Sequence, residues 1–388
     1  MTQGAAPSRR RLLVSSGEPS GDLYAGELVR HLRSDLPELE AFGLGGDRLQ
    51  AQGTRLVAHV SELAVVGLVE VLRHLRRLRT VFHSVLREVD RERPHAAVLV
   101  DYAGFNLRLA RALDARGIPV VYYVSPQIWA WRRHRLRAVK RHVARMIVIF
   151  PFEEAFYREA GVEASFVGHP LVELLRPAAD PSAFLAAQGL DPARPVLAVL
   201  PGSRRQEIAH NLPPIAAALR LLLRERSGLQ AALAVAPATD PSLFDAALAG
   251  LDVKRVAGQT HALMSAASAG IVASGTATVE AALLDLPSVV VYRLSPLSYA
   301  LGRPFVHVPH YAMANLIAGR RVVTELIQGD FRAEAVAVEV GRLLDDPVHR
   351  AGVKEGLGVV RQRLGGPGAS ERAAALVRPF LLESIKKA

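Results

Sequence analysis

Short apolar runs recur along the chain, each ending at a small or polar residue and followed by residues with helical spacing. RLLVSS (11–16) is the first, and it gives way at Gly17 to a helical pattern over 20–33. AAVLV (96–100) precedes a helix over 105–116, and PVVYYV (119–124) and RMIVIF (145–150) follow. Uninterrupted runs of this length suit strands buried on both faces, and their alternation with helices predicts βαβ units around a mainly parallel sheet. After a Pro-, Ala- and Asp-rich stretch (176–181) the series restarts at VLAVL (196–200) and continues at 230–235, 269–273 and 288–292. The C-terminal part reads as helices without a strand. The pattern predicts an α/β protein with two Rossmann-like, doubly wound domains facing an interdomain cleft. The expected boundaries are 1–175 and 176–365, with 366–388, including a helix over 369–385, packing back on the first domain.

A chain of 388 residues, half of them apolar, can build two such cores. It has no cysteine, which removes disulfides, thiolate metal sites and cysteine nucleophiles. The formal charge of +11 comes from arginine and favours anionic partners, although an arginine-rich composition alone also produces it. No apolar stretch reaches the roughly 18 residues of a membrane-spanning helix. Residues 1–11 are polar and lack a secretory signal pattern, so a cytoplasmic protein is expected. No HExxH or Cys/His set is present, so neither metal nor cofactor is expected. No RRM, KH or helix-turn-helix signature supports a nucleic-acid partner.

In doubly wound sheets ligands bind beyond the carboxyl ends of the strands, which makes the residues just after each strand the functional candidates. LPGSR (200–204) follows a strand and opens a helix. Gly202 lets the backbone approach a ligand, Ser203 begins the turn, and Arg204 offers a fork to phosphate oxygens. ASGTATVE (273–280) repeats that arrangement. Ser274, Gly275, Thr276, Ala277 and Thr278 can hold a diphosphate at a helix start, and Glu280 can accept ribose hydroxyls; a Ser/Thr helix cap explains the same residues. In the first domain, Gly17, Glu18 and Ser20 follow the first strand. Asp101 follows another and suits a general base or a helix cap. Ser125, Trp129 and Trp131 follow a third strand and suit sugar or acyl contacts, or core packing. A basic run over 131–145, and the 64–89 segment in which Val65–Leu72 is followed by Arg73, Arg76, Arg77 and Arg79, suit an anionic membrane surface or ordinary amphipathic helices. His169, near the expected hinge, is the histidine with the most suggestive position.

Taken in order, SGEPSGD (16–22), VVGLVEVL (65–72), YYVSPQIWAW (122–131), FPFEEAFY (150–157), FVGHPL (166–171), LPGSRRQEI (200–208) and SGTATVE (274–280) resemble the lipid-A-disaccharide synthase family, as does NLIAGR from Asn315 with ELIQ (325–328). The resemblance spans nearly the whole chain. It implies a GT-B fold and transfer of a diacylated glucosamine from its UDP donor to an acylated glucosamine 1-phosphate acceptor. The product is a β(1→6) disaccharide phosphate, formed with inversion and without a divalent metal. It also implies Asp101 as base, Arg204 on the donor phosphates, and the 274–280 turn around UDP. Gly17, Glu18, Ser20, Asn106, Ser125, Trp129, His169 and Asn315 would lie about the acceptor and cleft. The family further implies peripheral attachment to the inner face of the cytoplasmic membrane and, in some members, a homodimer. Two departures bear on acceptor geometry: the family's DxPDFN reads DYAGFN (101–106) here, and Met313-Ala314 stands where Leu-Pro is common. A UDP-N-acetylglucosamine 2-epimerase would use a similar frame for isomerisation, but would leave the membrane-suited segment and aromatic loop unexplained.

Overall fold

The computed structural model describes residues 9–63, 70–130, 133–236, 239–295, 299–300, 303 and 308–382. These form two compact units. One comprises the described residues up to Pro170 together with those from Gly366; the other is Leu171–Gly365.

In the first unit, β1 (Arg10–Ser16), α1 (Pro19–Asp35), β2 (Leu39–Gly45), α2 (Asp47–Ala51), β3 (Arg55–His59), α3 (Glu70–Glu92), β4 (Ala96–Val100) and α4 (Ala103–Asp114) follow one another. They continue into β5 (Val120–Tyr123), α5 (Leu136–His142), β6 (Arg145–Val148), α6 (Pro151–Glu159) and β7 (Ala164–Phe166). The sheet order is β3-β2-β1-β4-β5-β6-β7, all parallel. The central strands β1 and β4 are buried along most or all of their length, which is why they read as plain apolar runs.

The second unit runs α7 (Leu171–Leu174), α8 (Pro181–Ala187), β8 (Val196–Leu200), α9 (Arg205–Glu225), β9 (Gln230–Val235), α10 (Asp245–Leu248), β10 (Val253–Ala257) and α11 (Thr260–Ala266). It continues with β11 (Ala269–Ala273), α12 (Thr276–Leu283), β12 (Ser288–Tyr292), α13 (Met313–Ala318), β13 (Thr324–Ile327), α14 (Ala333–Asp345) and α15 (Pro347–Arg363). Its sheet order is β10-β9-β8-β11-β12-β13, again parallel. The Pro-rich stretch before α8 supplies that helix's cap, because the Asp180 carboxylate accepts the N–H groups of Ser182 and Ala183.

The last helix, α16 (Ala369–Leu382), belongs to the first unit. Its buried face of Ala373, Ala374, Val377 and Leu381 packs against α1. Arg372 donates to the Val167 carbonyl (2.9 Å), and Arg378 lies 3.3 Å from Asp35.

Several boundaries differ from the sequence reading for local reasons. The helix expected over 105–116 is Ala103–Asp114, because Tyr102 turns the chain into it and Gly117, at φ 69°, closes its far end. The strand expected over 119–124 stops at Tyr123, because Val124 lies at φ 61°, outside strand conformation. The strand expected to reach residue 150 ends at Val148, because Phe150 caps α6.

In α3, Val81, Val85 and Val89 face the core, while Arg76, Arg77 and Arg79 are exposed. The apolar residues expected to touch a membrane, Val65, Val66, Leu68 and Val69, lie outside the described residues, as do the side chains of Val71 and Leu72 and all of Trp131 and Arg132. Among the described residues no helix is long and apolar enough to cross a membrane.

Candidate active site

Each sheet reverses its direction of growth once, between β1 and β4 in the first unit and between β8 and β11 in the second. Those reversal points, at the carboxyl ends of the strands, are where open α/β sheets take ligands. The candidate turns at 17–22, 101–106, 201–204 and 274–280 all emerge there.

In the first unit the backbone itself is unusual at this edge. Asp101 (φ 45°) and Tyr102 (φ 48°) are consecutive residues in the left-handed region, and the β-branched Val124 joins them from the end of β5. Such conformations cost on the order of 1–3 kcal/mol each and persist only when neighbours hold them. Here the neighbours are visible. The Asp101 N–H is shared between the carbonyls of Tyr123 and Val124, each at 3.2 Å. The Asp101 carbonyl accepts from the Asn106 amide (2.9 Å) and from the Tyr122 hydroxyl. Asn106 is fully buried; its amide also donates to the Ser15 and Val100 carbonyls, and its oxygen accepts from the Ser15 hydroxyl at 2.7 Å. Asn106 therefore ties the ends of β1 and β4 together and fixes the Asp101 backbone.

Gly17 is required by the same construction, since a Cβ there would fall 2.2 Å from the Tyr102 ring. Tyr102 stacks on Phe105, and burial, with the Glu18 carboxylate nearby, raises its phenol above the usual range. Glu18 is the residue before α1, and half-buried Ser20 lies in its first turn. Asp22, from the same motif, turns its carboxylate to the start of α2, accepting from Gly46 (2.6 Å), Arg48 (3.0 Å) and Leu49.

The aromatic loop after β5 is fastened from α6. The Trp129 indole donates to Glu153 (2.9 Å), and the Ser125 hydroxyl meets the Tyr157 hydroxyl at 2.6 Å. All four residues are buried. Burial pushes the Glu153 carboxyl up to about 8, against the opposing hydrogen bonds from Trp129, Ser125 and the backbone, so it is largely protonated at neutral pH. The Trp129 ring meets Phe152 edge-on, Phe152 stacks on Phe150, and Phe150 leans on His169, which also meets Tyr24 edge-on. His169 is buried, and desolvation holds it down to about 3. It stays neutral and packs as an aromatic ring.

In the second unit, α9 starts after Pro201, Gly202, Ser203 and Arg204. Gly202 sits at φ 122°, and a Cβ there would press on Glu207 at 2.8 Å. The sequence reading expects the first N–H groups of this helix to face phosphate; in the structure two N–H groups just before the helix are taken by one of its own side chains. Glu207 accepts the N–H groups of Ser203 (3.2 Å) and Arg204 (3.3 Å) and pairs with the Arg204 guanidinium at 3.2 Å. Its third position in the helix is the one from which an acidic side chain reaches back to the cap. Arg204 itself remains largely exposed.

At the other turn, the Ser274 hydroxyl donates to the Tyr311 carbonyl (2.9 Å). Thr278, expected to offer its hydroxyl to phosphate, is buried and donates back to the Gly275 carbonyl at 2.8 Å. Thr276 is exposed, Ala277 is half-buried, and no described atom lies within 4 Å of where a Gly275 Cβ would sit. Asn315 is buried; it donates to the Val323 carbonyl and Glu325 and accepts from Val322 and Val323. Glu325 in turn holds the N–H groups of Tyr311 and Ala312. Asn315 thus supports the loop that anchors Ser274. Glu280 is half-buried one turn into α12, and His261 Nε2 lies 3.7 Å from its Oε1.

Sequence reasoning missed Tyr102, Glu153, Glu207 and His261. Only Glu207 carried a signal, its position three residues after Arg204. Among the described residues no group of three or more His, Asp or Glu is gathered as a metal site.

Comparison with known proteins bears on this geometry. A family model described as lipid-A-disaccharide synthetase matches residues 12–359. The lipid-A-disaccharide synthase of Koribacter versatilis is 46% identical over 368 residues, covering 94% of this chain and 96% of that protein. The synthase of Geobacter metallireducens is 43% identical over 385 residues, covering 97% and 99%. Among solved structures, the UDP-GlcNAc 2-epimerase of Neisseria meningitidis superposes with a TM-score of 0.67 at 12% identity, covering 95% of this chain and all of that one. The calicheamicin glycosyltransferase CalG4 gives 0.58 at 17%, covering 97% and 99%. These two likenesses show the shared GT-B type of fold.

Proposed function

The chain belongs to the lipid-A-disaccharide synthetase family and is a glycosyltransferase with lipid-A-disaccharide synthase activity, and from that premise we propose which residues carry the transfer and where it happens. The donor is a UDP-linked 2,3-diacylglucosamine, bound by the second unit. Arg204 and the starts of α9 and α12 take its diphosphate, and Glu280 takes the ribose. The acceptor is 2,3-diacylglucosamine 1-phosphate, bound by the first unit, and Asp101 is the general base.

The chemistry is a single displacement with inversion. Asp101 removes the proton from the acceptor's 6-hydroxyl as that oxygen bonds to the donor's anomeric carbon. The bond from that carbon to the diphosphate oxygen breaks, its electron pair leaves with UDP, and a β(1→6) disaccharide 1-phosphate forms. Arg204 offsets the charge gathering on the departing oxygen, and the dipoles at the helix starts act in the same sense. The observation that carries the reading is the Asp101 turn, a strained backbone at a strand's carboxyl end held in place by Asn106, Tyr122, Tyr123 and Val124. A second support is that Arg204 and Glu280 both follow strands beside the other sheet's reversal point.

The exposed arginines of α3, with Arg133, Arg137, Lys140 and Arg141 in and before α5, favour attachment of the first unit to the anionic inner leaflet, where both acylated substrates reside. The working form is a homodimer, as the family allows.

The test is purified protein with synthetic acylated UDP-glucosamine and acylated glucosamine 1-phosphate, products read by mass spectrometry and linkage by NMR. Asp101→Asn in the same assay decides the base. Donor epimerised without acceptor would instead support the isomerase reading. Sedimentation with anionic and neutral vesicles, and the mass in solution, test the membrane and dimer assignments.

A further inference from the structure

Glu280 sits one turn into α12, where the proposed function gives it the ribose of the donor. A carboxylate does that work only when one oxygen is aimed at the sugar hydroxyls, and a glutamate has three side-chain torsions to lose before it is aimed. His261, on α11, lies beside it. The two His261 nitrogens have different surroundings. Nδ1 accepts the backbone N–H of Arg176 at 3.3 Å. A ring nitrogen that accepts from a backbone N–H carries the lone pair, so in the neutral ring the proton is on Nε2. Nε2 is the atom that faces Glu280 Oε1, at 3.7 Å. That separation is longer than a hydrogen bond, but it places the ring nitrogen and the carboxylate oxygen within ion-pair distance of each other.

His261 is itself held on the side away from Glu280. Arg176 belongs to the segment 176–178, between α7 and the α8 cap. That segment is pinned to α11 a second time, by the Ala178 N–H donating to the Ser265 hydroxyl at 2.9 Å. Ser265 lies one helical turn beyond His261 on the same face of α11. The imidazole is therefore oriented by a backbone group on a segment fixed at two points, with its Nε2 beside the carboxylate. An outer residue oriented in this way sets the direction of the group that touches the ligand.

We propose that His261 is a positioning residue for ribose recognition: it holds one oxygen of Glu280, leaving the other directed at the ribose hydroxyls. The inference rests on Glu280 taking the ribose, and the test separates the two. The probes are UDP and 2′-deoxy-UDP, titrated calorimetrically into the full-length protein, and the readout is the ratio of their dissociation constants. A hydroxyl given to a carboxylate makes that ratio about tenfold or more in the wild type. Glu280→Gln reduces it toward unity.

His261→Asn retains an acceptor for Arg176 but no longer reaches Glu280, and His261→Phe retains the ring without nitrogens. Both should bring the ratio down to about threefold or less at an unchanged melting temperature, while His261→Gln, whose amide reaches the Nε2 position, should restore most of it. Ser265→Ala, which removes the second pin but keeps the Arg176 contact, should lower the ratio by less than His261→Asn or His261→Phe does. A wild type that does not distinguish the two nucleotides overturns the ribose role of Glu280, and this inference with it. A wild type that distinguishes them, a Glu280→Gln that does not, and a folded His261→Asn or His261→Phe with the wild-type ratio overturn the positioning role alone.

Discussion

Removing Arg204 should cost a great deal of catalysis and almost no stability, and the structure says why the two separate. Its guanidinium is 3.2 Å from Glu207 with 65% of the side chain exposed. An ion pair that open to water contributes about 0–1 kcal/mol. For a unit of this size, losing it shifts the melting temperature by no more than about 2–4 °C. The backbone cap is untouched by Arg204→Ala, because Glu207 also accepts from the main-chain N–H groups of Ser203 and Arg204, which the variant keeps. In its proposed role against the donor's diphosphate, the same guanidinium should contribute about 2–4 kcal/mol of transition-state stabilisation. That corresponds to a fall of about 30- to 1,000-fold in kcat/KM. Arg204→Lys keeps the charge without the planar fork and should fall between the two. The assay pairs steady-state kinetics on the acylated donor with thermal melts of the same preparations. Wild-type kcat/KM in Arg204→Ala would remove the phosphate role, and a melting point lowered by more than about 5 °C alongside the activity loss would assign Arg204 to scaffolding.

Asp101→Asn should lower kcat by about 100- to 10,000-fold while calorimetric UDP affinity stays within a few-fold, since only proton removal is lost. Glu153, raised in the folded state to about 8 from 4.5, binds its proton more tightly there than in the unfolded chain. Its contribution to stability is complete below pH 4.5 and is lost, at about 1.4 kcal/mol per pH unit at most, as pH rises toward 8. Glu153→Gln should flatten that part of the melting-temperature profile between pH 5 and 8, and parallel profiles would contradict the burial argument. Gly17→Ala drives a methyl into the Tyr102 ring and should destabilise by about 1–3 kcal/mol in urea titrations. In a Tyr102→Ala background most of that cost should disappear, and additive losses would mean that the two residues do not clash.

The strands most legible in the sequence are those with sheet on both sides. The runs read at 196–200, 230–235, 269–273 and 288–292 coincide with Val196–Leu200, Gln230–Val235, Ala269–Ala273 and Ser288–Tyr292. Strands Arg55–His59, Val253–Ala257 and Thr324–Ile327 escaped notice because they lie at sheet edges, where partial exposure admits charged residues and blurs the apolar run. The Leu39–Gly45 strand was obscured by Glu40 and two glycines despite its interior place. Asp101, Arg204 and Glu280 stand out in the sequence as candidates because each follows a readable strand. The left-handed pair at 101–102, the burial of Glu153 and the approach of His261 to Glu280 do not, since each is imposed by residues distant in sequence. Asn106, Ser125, His169 and Asn315 were legible as members of motifs, but the motifs do not reveal that their polar atoms or rings are engaged inside the protein.

The helix Ala369–Leu382 makes the first unit discontinuous: its sheet is encoded before residue 170, but the helix that covers α1 is encoded last. During synthesis the second unit, one unbroken segment, can close before α16 is present to pack on α1. Completion of the first unit therefore waits for α16 to be made. A nascent chain stalled before α16 would display a closed second unit joined to a first unit whose α1 is still uncovered.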